Sequence, residues 1–207
     1  SGFRCSPGGA QAALGITPDL TTLAKIMAGG LPGGAVVGRA DLIDLISFEE
    51  DARGGRGKIL HFGTFNANPL SAATGIACLE IVRDTDACAR ANQAAVALRT
   101  GLTGVLVDAE LAWGIYGTYS GFHIFTNPEA RDLDPAVFDP LKIPWQELRT
   151  GDPAITNKLR LGMLVHGVDL NGWPGGMTSA ANTEADIADT IDAFRRTIHE
   201  MRQEGDL

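Results

Sequence analysis

The sequence predicts a mixed α/β protein built as two subdomains, with a change of character near residue 85. Three observations carry that reading. Up to residue 70, short apolar elements alternate with glycine punctuation. From Leu70 to Val82 small and apolar residues occupy nearly every helical face, the mark of a buried helix. Beyond residue 85 the pattern turns to a long helix, two strands, a helix, a strand and an amphipathic helix.

In order along the chain, Thr17 to Leu23 leads into a tight apolar stretch, and Ala35-Val36-Val37-Gly38 reads as a short buried strand. Asp41 is placed to cap a helix running to about Ser47, with Leu42, Ile43, Leu45 and Ile46 as its apolar contacts. Arg53 to Lys58 is a glycine-rich, flexible loop. After the buried helix, a second helix is expected over about 84–102, with Ala87, Ala91, Ala95, Leu98 and Leu102 at helical spacing. Strands are expected at Leu111–Tyr116 and Gly121–Thr126. Residues 127–153 carry Pro128, Pro135, Pro140, Pro144 and Pro153, too many for regular structure. A helix over about 154–166 leads to a strand, Val168-Asp169-Leu170, and then a Gly/Pro turn. The last helix is the clearest: Thr183 to Asp186 forms a capping-box start, and Ile187, Ile191, Phe194, Ile198 and Met201 make its apolar stripe.

Composition bounds the function. In 207 residues, 17 Lys and Arg face 25 Asp and Glu, a formal charge of −8, which argues against a phosphate-backbone binder. No apolar run approaches the roughly 18–20 residues of a membrane helix. The opening Ser1-Gly2-Phe3-Arg4 shows no charged region followed by an apolar one, so no signal peptide is expected. Cys5, Cys78 and Cys88 lack metal-ligand spacing and suit reduced thiols in a cytoplasmic protein, and the four histidines are scattered rather than paired for zinc.

Two motifs fail. Gly57-Lys58 mimics the end of a phosphate loop, but Ile59 follows the lysine and Ala52 stands where the first glycine belongs. Gly117-Thr118-Tyr119-Ser120-Gly121 puts its serine one place too late for a nucleophile elbow, and before a strand. Lys25 is more informative. It is flanked by Leu23, Ala24, Ile26, Met27 and Ala28 and followed by Gly29-Gly30. A lysine there is either desolvated, the condition for imine chemistry, or a snorkelling surface residue, and spacing leaves both open.

The stretch Ile16-Thr17-Pro18-Asp19-Leu20-Thr21-Thr22-Leu23-Ala24-Lys25-Ile26-Met27-Ala28-Gly29-Gly30-Leu31-Pro32 closely resembles the cofactor-lysine segment of the class III aminotransferases. Ser1-Gly2-Phe3-Arg4 resembles the end of the family's D-E-V-x-[ST]-G-F-R strand, and Gly63-Thr64-Phe65-Asn66-Ala67-Asn68-Pro69 its G-T-x-x-x-N-P element. Met177 to Ile187 echoes the F-T-S-x-A-H-T-x-E-D-I signature of glutamate-1-semialdehyde 2,1-aminomutase and its aminotransferase relatives. The resemblance runs along essentially the whole chain and is strongest over residues 1–82.

It implies pyridoxal 5′-phosphate (PLP) as cofactor and the C-terminal part of a fold-type I PLP-transferase large domain, residues 1–85, followed by a smaller α+β C-terminal domain, residues 86–207. By the same resemblance, Lys25 forms a Schiff base with PLP and is the catalytic base, Thr64 and its neighbour Gly63 hold the cofactor phosphate of the neighbouring subunit's site, and Gly29 and Gly30 permit a close turn beside the cofactor. The implied reaction passes an amino group from an amino-acid or amine donor to a keto-acid acceptor. The alternatives are the aminomutase reaction and a non-catalytic fragment or dimerisation module. The implied partners are a second subunit, which shares each active site, and the N-terminal half of the same enzyme, which carries the rest of the cofactor site. The sequence departs from the aminomutase pattern at Asn171-Gly172-Trp173-Pro174-Gly175-Gly176, where the acidic residue is missing, and at Asn182, which replaces histidine. No arginine lies between Leu170 and Asn182 to pair a substrate carboxylate, while Trp173 offers either an apolar wall or core filling.

Overall fold

The computed structural model describes residues 2–47 and 59–207, so the glycine-rich loop Arg53 to Lys58 and the failed phosphate motif within it lie outside the described residues. The chain divides into two compact units, Ser1–Cys88 and Ala89–Leu207. No helix among the described residues is long and apolar enough to cross a membrane.

The first unit opens with two short helices, α1 (Gly2–Cys5) and α2 (Gly9–Leu14). Strand β1 (Leu20–Ala24) pairs antiparallel with β2 (Gly34–Gly38), Leu20 opposite Gly38 and Ala24 opposite Gly34. A 3₁₀ turn, Lys25–Ala28, follows β1 directly. Helix α3 (Ala40–Ile43) gives way to a second 3₁₀ turn, Asp44–Ile46, so the expected helix to Ser47 is only half α-helical. Asp41 does not cap it. Arg39 occupies the cap position and pairs with both Asp19 and Asp41 at 2.8 Å, using Asp41 as its ion-pair partner. Helix α4 (Pro69–Asp84) starts where Asn68 Oδ1 accepts from the amides of Leu70 and Ser71, with Pro69 in the first turn, where its missing N–H costs nothing.

Two further sequence expectations fail in this unit. The strand over 35–38 forms but is not buried: Val36 and Val37 are exposed. Helix α4 forms but buries only Gly75 and Val82, leaving Leu70, Ile76 and Ile81 in the open. An apolar face is buried only where another layer covers it. The described residues of this unit cover α4 mainly where the Lys25–Ala28 turn packs on it.

The second unit has a conventional core. Helix α5 (Ala87–Asp108) runs six residues beyond the expected end and contributes Leu98, Leu102, Val105 and Leu106. Strands β3 (Gly114–Tyr116), β4 (Gly121–Phe125) and β5 (Gly175–Met177) form an antiparallel sheet in the order β3-β4-β5. The proline-rich segment folds into 3₁₀ turns at Pro135–Val137 and Pro140–Lys142 and helix α6 (Trp145–Arg149). The first two begin at a proline under an aspartate cap, Asp134 and Asp139. Helix α7 (Pro153–Val165) supplies Leu159 and Met163, and α8 (Glu184–Glu204) supplies Phe194, Ile198 and Met201. Residues 168–170 are not a strand. Val168 instead closes the end of α7 by donating to Met163 O at 2.8 Å, and β5 forms in the segment read as a turn. Close packing explains the glycine at 175: its φ is +150°, and a Cβ there would lie 2.4 Å from Phe122 O. The glycine that looks like a breaker is what lets β5 lie against β4.

Candidate functional site

Lys25 is the first residue after β1, and its φ is +58°, in the left-handed region. A non-glycine residue held there costs about 1–3 kcal/mol and persists only where its surroundings fix it. Here they do. Ala28, at the end of the turn, is buried, and its carbonyl accepts a 2.9 Å bond from Thr74 Oγ1 on α4. Gly29 closes the turn with φ +62°, and a Cβ on it would fall 2.2 Å from the Thr74 carbonyl oxygen. The register Ala24 opposite Gly34 fixes the other end. The backbone that carries Lys25 is therefore held at both ends, while the residue itself is exposed, so this chain provides none of the desolvation that one reading of its apolar flanks expected.

Thr64 and Gly63 sit in an exposed turn immediately before α4. Asn66 N donates to Gly63 O at 3.0 Å, and Asn68 N to Phe65 O at 3.2 Å. The Thr64 hydroxyl has no hydrogen-bond partner among the described residues. The Lys25 turn and the Thr64 turn flank one cleft of about 580 Å³. Met27 and Ala28 line it from one side, Phe65 and Asn66 from the other, with Ser71 and Ile76 of α4 between them. Lys25, Gly63 and Thr64 are not among its lining residues, so the two turns are brought onto one cleft without the side chains being brought together.

In the second unit, the sheet face opposite the core carries aromatic rings. Tyr116 and His123 are cross-strand partners with ring centroids 5.2 Å apart, and Trp173 stacks on His123 at 4.3 Å. The Trp173 indole N–H donates to Leu148 O at 2.9 Å, yet the residue stays 42% exposed, so it is a surface wall rather than core filling. Burial pushes the Tyr116 phenol up to about 12. Asn182 Oδ1 accepts from Ser179 N at 2.7 Å and from Ser179 Oγ at 3.4 Å, a turn-holding role just before α8. Ser120 is buried ahead of β4, and its carbonyl accepts from Thr178 N at 2.9 Å. Among the described residues no group of three or more His, Cys, Asp or Glu is placed to hold a metal ion.

The aminotransferase class-III family model matches residues 2–113, more than half of the chain. The chain belongs to the class III aminotransferase family. Its fold is the mixed α/β fold of the fold-type I PLP transaminases. It is similar to an omega-transaminase from Sphaerobacter thermophilus, at 27% identity and TM-score 0.77, over 97% of this chain and 43% of that one. It is similar to a structure described as a transaminase with PLP bound, at 26% identity and TM-score 0.78, over 100% and 44% of the two chains. A glutamate-1-semialdehyde aminomutase from Pseudomonas aeruginosa PAO1, at 22% identity and TM-score 0.73 over 96% and 43%, shares the fold. The chain thus spans less than half the length of these solved relatives. Thr74, which locks the lysine turn of this class III chain, escaped the sequence reading. Its bond to Ala28 joins residues 46 apart, and no local pattern announces such a partner.

Proposed function

We propose that this chain supplies the lysine-bearing and C-terminal parts of a PLP-dependent aminotransferase that passes an amino group from an amino-acid or amine donor to a keto-acid acceptor. The observation that carries the proposal is the Lys25 turn: a strained lysine directly after a strand, fixed by Thr74 and Gly29. Bound PLP supplies an electron sink that acidifies the substrate Cα–H. Lys25 Nζ would hold the cofactor and, as a free amine, would move the proton between the substrate Cα and the cofactor's C4′. A fixed backbone limits the search of that amine to its own side-chain rotamers. Thr64 Oγ1 and the backbone amides of Gly63 and Thr64 would bind the phosphate of the site shared with the second subunit, through charge-assisted bonds that orient the ring without taking part in proton transfer.

The same proposal includes a homodimer with shared active sites, a large domain completed by the N-terminal half of the enzyme, and a cytoplasmic setting. The exposed apolar faces of β2 and α4 support it, since each needs a further layer. Over the aminomutase alternative, transamination is favoured by Asn182. Its side chain is spent on Ser179, and an amide does not titrate near neutral pH as a histidine does.

The test uses the intact enzyme. Borohydride reduction followed by peptide mass mapping is expected to find a pyridoxyl group on Lys25, and Lys25→Ala is expected to lose the visible cofactor band and turnover together. Normal transamination by that variant would remove Lys25 from the mechanism, and a pyridoxyl group on it would dismiss the non-catalytic alternative. Turnover that stops without a keto-acid acceptor supports the transaminase. Sustained conversion of glutamate-1-semialdehyde with no acceptor would assign the mutase instead.

A further inference from the structure

A second cleft lies wholly within the C-terminal unit and owes nothing to the lysine turn. It has a volume of about 460 Å³ and lies between α5, β3 and the 3₁₀ turns of the proline-rich segment. Its lining includes Arg99, Thr100 and Thr103 of α5, Tyr116 of β3, and Phe138, with no acidic residue among the lining groups.

Arg99 is the focus. Its Nη1 donates to Tyr119 O at 3.0 Å and to Gly121 O at 2.7 Å, two carbonyls of the loop joining β3 to β4. Those bonds fix the guanidinium plane while using only one of its three nitrogens. No described carboxylate pairs with Arg99, and Nε and Nη2 have no described partner. The unused Nε–Nη2 edge is the one whose two parallel N–H groups match the two oxygens of a carboxylate. Burial lowers the Arg99 pKa, yet a guanidinium does not give up its proton in a protein, so a half-buried cation has no counter-ion among the described residues. Thr103 lies one helical turn from Arg99 on the same face, and neither its hydroxyl nor that of Thr100 is engaged by a described residue. The opposite wall is stiff. Phe138 stacks on Phe125 at 5.5 Å and meets Tyr116 edge-on at 6.2 Å.

From this geometry we infer that the cleft is a binding site for the carboxylate of a small organic acid, gripped side-on by Nε and Nη2 of Arg99 and by the hydroxyls of Thr100 and Thr103. Its volume suits an acid of a few carbons rather than a macromolecular tail. A carboxylate prefers the fork over an ammonium because two aligned bonds form at once, so a lysine at 99 keeps the charge and loses the match.

The experiment is calorimetric titration of the intact enzyme carrying Lys25→Ala, which takes cofactor chemistry out of the signal, with acetate, succinate and inorganic phosphate as probes. Saturable uptake of acetate or succinate is expected, weakened about tenfold or more by R99K. Because R99K also touches the loop clamp, T103V is the second variant: it keeps the side-chain shape and the clamp, and should weaken the acids several-fold with the thermal midpoint unchanged. Equal affinity in the parent and in R99K would overturn the inference. So would an absence of saturable acid binding, or a preference for phosphate over both acids.

Discussion

Replacing Gly29 by alanine probes how rigidly the lysine turn is held. Gly29 has φ +62°, and an added Cβ would stand 2.2 Å from Thr74 O and 2.5 Å from Thr74 C, both backbone atoms of α4. The left-handed conformation alone costs an alanine about 1–2 kcal/mol. The clash adds a further overpacking cost of about 1–3 kcal/mol, because helix backbone cannot rotate away as a side-chain tip can. Gly30 is the internal control. Its φ is +92°, and a Cβ there meets nothing within 4 Å, so Gly30→Ala pays conformational strain without the clash. Urea unfolding of the two variants of the intact enzyme should therefore separate them by about 1–3 kcal/mol, with Gly29→Ala the weaker. Any relief of the clash lifts the turn off α4, strains the Thr74 to Ala28 bond, and moves the backbone that carries Lys25. Cofactor occupancy, read by borohydride trapping, should fall in Gly29→Ala and hold in Gly30→Ala. Equal stability and equal occupancy in the two variants would refute the locked turn.

Three further outcomes are expected. On the proposed role of Thr64, Thr64→Ala would remove one bond to the phosphate, worth about 1.5–3 kcal/mol, so PLP should dissociate about 10- to 150-fold more readily from a folded enzyme, as measured by equilibrium dialysis. Thr183→Ala breaks the reciprocal cap of α8, in which Asp186 N donates to Thr183 Oγ1 at 3.2 Å and Thr183 N donates to Asp186 Oδ2 at 2.7 Å. That variant should lose about 0.5–2 kcal/mol in denaturant unfolding. Tyr116, pushed up to about 12 by burial, is a raised acid whose neutral form suits the folded state. Its contribution is thus complete below its unfolded value of about 10 and lost as pH rises from there through 12. Tyr116→Phe, followed by unfolding at alkaline pH, should remove that part of the pH dependence.

What the sequence determined by itself is what short-range chemistry decides. The start of α8 was legible because Thr183 and Asp186 are three residues apart and satisfy each other's backbone, and its stripe because the core lies on one side of it. The proline-rich segment was legible as irregular, though not as three short turns. The lysine segment and its glycines could be placed by their likeness to a family, but not the reason they hold still. Only the tertiary structure decided that Lys25 takes φ +58°, because Thr74 and the α4 backbone, far along the chain, set that turn. It alone decided where the third strand of the small sheet lies. Val168-Asp169-Leu170 has a strand's alternation but no strand partner, while Gly175 and Gly176 pair with β4 because bare glycine backbone fits against Phe122 and His123. Arg99, too, was indistinguishable in sequence from any helix-surface arginine until the fold placed two carbonyls on one of its nitrogens and, among the described residues, no acid beside the others. Periodicity and caps are written in neighbouring residues, whereas close approach and missing counter-charges depend on residues that only folding brings together.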